Sequence, residues 1–107
     1  MRRFTYIEQI KDVMHNTDPK AEVILYGFEA RGDARFDSDI DLLIVVDKER
    51  LSNQDITEIT YPLYDLELKN DCKITISPLV YTRKQWYNRP FQTPFFLNVM
   101  NEGVKLQ

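Results

Sequence analysis

At 107 residues the chain has the size of one ordinary domain and can bury a core without metal or disulfide staples. Apolar residues make up 43% and charged residues 29%, with a formal net charge of −3, a globular composition that lacks the basic footprint of a tight nucleic-acid binder. No stretch nears the roughly 20 apolar residues of a membrane span, no uninterrupted apolar segment follows Met1-Arg2-Arg3-Phe4, and the single Cys72 and single His15 exclude internal disulfides and Cys/His zinc clusters, which together predict a cytoplasmic protein whose metal, if any, sits on oxygen.

Phe4, Ile7, Ile10 or Lys11, and Met14 recur at helical spacing, so residues 4 to 16 read as an amphipathic helix ending near Asn16-Thr17-Asp18-Pro19. Ala21 to Tyr26 is a short apolar run stopped by Gly27, and Asp39 to Val46 is a second; both suit strands, with a polar, turn-rich segment between them. Ser52 is placed to cap a helix over residues 53 to 69, with Ile56, Ile59, Leu63 and Leu66 on one face. Pro62 inside it removes a backbone donor, which predicts a kink near Glu58 or a split into two pieces.

Lys73 to Tyr81 reads as a third strand, with Pro78 pointing to a sheet edge or bulge and Cys72, at its start, to a small apolar filler. Thr82 and Gln85 match a capping box that opens a short helix through Trp86 and Tyr87. Thr93 and Pro94 open a final helix, with Phe96, Leu97 and Met100 as its buried face and Gly103 as its stop. The order predicts one α/β (α+β) domain over residues 1–107, a small mixed sheet of three or four strands with helices packed on it.

Chemistry concentrates at Asp39 and Asp41, which open an otherwise apolar run. On a strand, residues two apart point to the same face with Cα atoms roughly 6.6 Å apart, so the two carboxylates can converge on one ion. Magnesium suits such a pair, because it takes oxygen ligands and usually binds one or two carboxylates plus substrate phosphates. The plainer reading is that two aspartates solubilise a strand end. The segment Gly27-Phe28-Glu29-Ala30-Arg31-Gly32 follows the first strand and can turn into a short helix whose amides face a phosphate.

In order and spacing, Gly27-x-x-Ala30-Arg31-Gly32-x-Ala34 followed by Ser38-Asp39-Ile40-Asp41-Leu42 resembles the signature of the minimal nucleotidyltransferases, relatives of DNA polymerase beta and of the antibiotic-modifying nucleotidyltransferases. The resemblance implies a nucleotidyltransferase fold in which Gly27, Phe28, Arg31 and Ser38 line a nucleotide phosphate site and Asp39 and Asp41 bind Mg²⁺. It implies transfer of a nucleoside monophosphate, AMP from ATP, to a hydroxyl. It also implies a protein partner, a helical toxin-type protein for which the chain serves as antitoxin, or a homodimer; neither a membrane nor nucleic acid is expected.

Two positions depart from the family pattern. A serine usually follows the loop glycine, where this chain has Phe28 and then Glu29, which offer phosphate no hydroxyl and add like charge. The third carboxylate belongs on the last strand, and the residue aligned with it is Thr75, a poor metal ligand and no base at its ordinary pKa. Asp71 shares strand parity with Thr75 but lies about 13 Å along a strand. These departures leave a second reading open, a catalytically degenerate member that binds nucleotide or protein. Arg31 and Arg35 are candidate phosphate contacts, Asp37 and Ser38 candidate turn or supporting residues, and the aromatic-rich end (Tyr81, Trp86, Tyr87, Phe91, Phe95, Phe96) is expected to be mostly core with a leftover patch for a partner.

Overall fold

The computed structural model describes residues 2–32 and 38–107. The elements run α1 (Arg2–Thr17), β1 (Glu22–Tyr26), α2 (Phe28–Arg31), β2 (Ile40–Val46), α3 (Asn53–Lys69), β3 (Ile76–Thr82), α4 (Arg83–Tyr87), α5 (Pro94–Glu102) and β4 (Val104–Lys105). The strands form one mixed sheet in the order β3-β2-β1-β4. β1 is antiparallel to β2 and to β4, whereas β2 and β3 are parallel, joined by the α3 crossover that a parallel pair requires.

The fully apolar part of β2 reflects its central place, with helices covering both faces. Leu42, Ile44 and Val46 pack in one core with Ile10 and Met14 of α1 and Ile59, Leu63 and Leu66 of α3. Leu43 and Val45, of opposite parity, pack in a second core with Ile24, Trp86, Phe96 and Val99. Burial on α1 falls on Tyr6, Ile10 and Met14, while Phe4, expected inside, is 64% exposed. The helix is rotated from the expected stripe because Tyr6 takes the first inward position.

α3 is one continuous helix across Pro62, neither split nor ended there. Ile59, Leu63 and Leu66 anchor it on both sides of the proline, so packing outweighs the single lost donor. Its start is a complete capping box: Ser52 Oγ accepts from the Asp55 amide and the Asp55 carboxylate accepts from the Ser52 amide.

After α3 the chain differs from expectation. Asp71 and Cys72 both have left-handed backbone (φ 54° and 56°), so neither lies on a strand, and β3 begins only at Ile76. Strand parity therefore says nothing about Asp71. Cys72 is exposed, not a core filler.

β3 is an edge strand with a blunted outer rim. The Ile40 amide donates to the Thr75 carbonyl, which turns the backbone groups of residues 75, 77, 79 and 81 toward β2 and those of 76, 78, 80 and 82 outward. Of the outward positions, the Ile76 amide donates to Glu67 Oε1 (2.6 Å), the Thr82 amide donates to Gln85 Oε1 (3.0 Å), and Pro78 has no donor.

α4 opens with the expected Thr82–Gln85 capping box and α5 with Thr93 as its cap. On α5 the buried residues are Phe96 and Val99; Leu97 and Met100, expected inside, are 41% and 43% exposed. Gly103 ends α5 where a Cβ would collide with the Val99 carbonyl and with Ile24, so the missing side chain lets the helix end settle on β1. The tail then returns as β4, a strand the sequence did not announce. Among the described residues, no helix is long and apolar enough to cross a membrane.

Candidate functional site

The site lies where β1 ends and β2 begins. Tyr26 pairs with Asp41, and Asp41 pairs on its other side with Ser77 of β3. Paired residues share a face, so Tyr26, Asp41 and Ser77 project on the side of the sheet that carries α4 and α5, the side already fixed by Leu43 and Val45. Asp39 sits just ahead of β2 and is exposed; Asp41 is half-buried. The Ser77 hydroxyl donates to Asp39 Oδ2 at 3.2 Å.

Gly27 turns the chain out of β1 with φ +77°, a backbone state that disfavours any side chain. A Cβ on Gly27 would stand 2.5 Å from Asp41 Oδ2. The turn thus runs directly against the second carboxylate. α2 follows, and at its end Arg31 pairs with Glu102 of α5 at 3.3 Å.

Two acids side by side repel. Burial, and then the charge of Asp39, raise the Asp41 pKa above the ordinary carboxylate value. Burial and the Asp41 charge likewise push the Tyr26 phenol up to about 12. A cation between the carboxylates would relieve that repulsion, and the donor set, all hard oxygen, fits a divalent ion such as Mg²⁺. Among the described residues, however, no third acid, histidine or cysteine joins the pair. One ion with substrate phosphates completing its shell fits this donor set. Among the described residues, a second ion would lack a protein carboxylate of its own.

The sequence-predicted residues are therefore partly gathered. Gly27, Asp39 and Asp41 come together, Ser38 immediately precedes the pair and is half-buried, and Arg31 borders the same turn. The backbone of Phe28 opens α2, while its side chain and that of Glu29 lie outside the described part of the chain. Ala34, Arg35 and Asp37 also lie outside the described residues. Thr75 is exposed immediately before β3; the residue that reaches the acidic pair is Ser77, two positions later. Sequence reasoning missed Ser77, although its parity with Thr75 on an edge strand was the available signal.

Residues 8–84 match the family described as Polymerase beta, Nucleotidyltransferase. The chain belongs to that family. No curated protein matches it. Among solved structures, the fold is similar to a chain in "Crystal structure of the toxin-antitoxin with AMP-PNP", with TM-score 0.61 and 19% identity over 94% of this chain and 72% of that one. Nucleotidyltransferase domains of this type generally use divalent metals, a habit with which the Asp39–Asp41 pair is consistent.

Proposed function

We propose that this nucleotidyltransferase-family protein binds a nucleoside triphosphate, ATP, through one Mg²⁺ held by Asp39 and Asp41, and transfers AMP to a hydroxyl on a protein partner. The observation that supports this reading is the contact of the Gly27 turn with Asp41, which sets a turn free of any side chain directly beside the acidic pair. Bound Mg²⁺ would neutralise phosphate charge. The chain's own groups do the rest: the Gly27 turn offers close backbone approach, and Tyr26, paired with Asp41 across the strands, keeps its phenol protonated on the same sheet face.

In the transfer, the acceptor oxygen bonds to the α-phosphorus, the bond to the bridging oxygen breaks and pyrophosphate leaves. The acceptor proton must go to a base. Where family members carry a third carboxylate this chain offers Ser77 and Thr75, and the Ser77 hydroxyl donates to Asp39 instead of accepting. Transfer by the isolated protein is therefore slow. The same observation favours a second reading, a degenerate member that binds nucleotide or protein without turnover.

A partner reading draws on the exposed apolar surface of the C-terminal third: Phe91 is 72% exposed, and Tyr87, Phe95, Leu97 and Met100 are each about 40% exposed. The structural neighbour is a chain of a toxin-antitoxin structure with AMP-PNP, which supports a role that joins a nucleotide to a protein partner; an antitoxin-type role beside a helical toxin, or a homodimer, in the cytoplasm is the form of it proposed here. Incubation of the protein with α-labelled ATP and Mg²⁺, alone and with proteins it captures from its own cell, tests the proposal. Label on a captured protein, lost with Asp41→Asn, supports transfer. Nucleotide binding without label on any protein favours the binding module.

A further inference from the structure

Near the acidic pair, and bordered like it by Gly27, lies a cleft of about 150 Å³ between the end of β1 and the face of α5. Tyr26 and Gly27 form one wall; Phe95, Asn98 and Val99 form the other. Arg31 and Glu102, one from each side, also line it, and their 3.3 Å ion pair bridges the walls. Gly27 borders both the cleft and Asp41, so a molecule whose phosphates sit at the acidic pair can extend into the cleft.

The lining does not suit phosphate. Phe95 and Val99 are apolar, Glu102 is acidic, and the one cationic side chain, Arg31, is engaged with Glu102. The walls suit a flat, neutral ring: Tyr26 and Phe95 meet edge to face at 5.5 Å, Phe95 is 38% exposed, and a cavity of this size accommodates a small aromatic molecule. Asn98, exposed on the same helix face, offers a donor and an acceptor side by side, the pattern that matches the amino group and ring nitrogen of adenine.

We propose that this cleft receives the base of the nucleotide, with Phe95 as the surface it stacks on and Asn98 as the group that reads its edge. The inference rests on the reading that phosphates bind at Gly27 and the Asp39–Asp41 pair. It adds that α5 sets nucleotide specificity, with the Arg31–Glu102 ion pair bridging α5 and the phosphate turn.

The test compares the affinity of ATP with that of inorganic triphosphate, both in Mg²⁺, by calorimetry on the wild-type protein and on Phe95→Ala and Asn98→Ala. Stacking on one aromatic ring predicts ATP tighter than triphosphate by about tenfold or more in the wild type, with most of that margin lost in Phe95→Ala. Asn98→Ala is expected to lose several-fold for ATP and nothing for triphosphate. Because Phe95 also packs on Trp86 at 5.9 Å, the exposed Asn98 supplies a variant with little risk to folding. If triphosphate binds but ATP binds no tighter, or if both variants keep the margin, the base does not lie in this cleft and the phosphate reading stands. If neither ligand binds the wild type, the phosphate reading falls and takes the inference with it.

Discussion

The missing Cβ of Gly27 would stand 2.5 Å from Asp41 Oδ2, so the glycine and the carboxylate were fitted to one another. Gly27→Ala is expected to cost about 1–2 kcal/mol from its left-handed backbone alone. It also displaces the Asp41 carboxylate, since that oxygen is the nearest atom able to move. Thermal melts with and without Mg²⁺ should show a lower Tm and a lost Mg²⁺ response; a variant that responds to Mg²⁺ like the wild type would separate the glycine from the metal site.

Asp41 trades stability for its site. Its folded pKa is raised by burial and by Asp39, so the folded state holds the proton more tightly than the unfolded chain does. Stability is favoured below the ordinary carboxylate value of about 3.9, declines as pH rises toward the raised value, and stays reduced above it. Asp41→Asn is therefore expected to raise the Tm at pH 7 in the absence of metal and to flatten that part of the pH profile. It should also lose any stabilisation by Mg²⁺. A variant less stable than the wild type at pH 7 would show that the carboxylate is held by favourable contacts.

If the neutral third position limits transfer, supplying an acid there should restore it. Ser77→Asp places a carboxylate beside Asp39, and Mg²⁺ affinity is expected to rise on the order of tenfold. Thr75→Asp, exposed before β3, should do less. Titration of Mg²⁺ followed by label transfer from ATP measures both, and equal behaviour of the two variants would mean that the Ser77–Asp39 contact does not mark the third position.

The blunted edge of β3 makes a prediction about assembly. Glu67→Ala removes the acceptor for the outward Ile76 amide, and Pro78→Val adds an outward donor. The double variant is expected to self-associate through β3 in sedimentation, at a concentration where the wild type does not. If the wild type already associates and the double variant associates no more, the rim is not what controls it.

Much of this architecture could be read from the sequence, because its signals were local. The Ser52, Thr82 and Thr93 caps, the β1 and β2 runs and the Gly27–Asp41 constellation each rest on a few neighbouring residues. What escaped was set by tertiary packing. The aromatic end was expected to be mostly core with a leftover patch, and which rings form that patch was set by packing: Trp86 and Phe96 enter the core, Phe91 stays outside, and Tyr87 and Phe95 stay partly exposed, since α4 and α5 cover only part of the sheet face. On α3 the outer face carries Tyr61 and Leu68, 65% and 68% exposed, an apolar surface that the helical pattern did not single out. Ser77 became visible only once the β2–β3 register placed it opposite Asp41.

The most direct test of the account is a crystal structure grown with Mg²⁺ and a non-hydrolysable ATP analogue. One metal ion is expected, bonded to both Asp39 and Asp41 and to phosphate oxygens, with the phosphates against the Gly27 turn. Density for the analogue elsewhere, or phosphates at the turn with no metal between the two carboxylates, would contradict it.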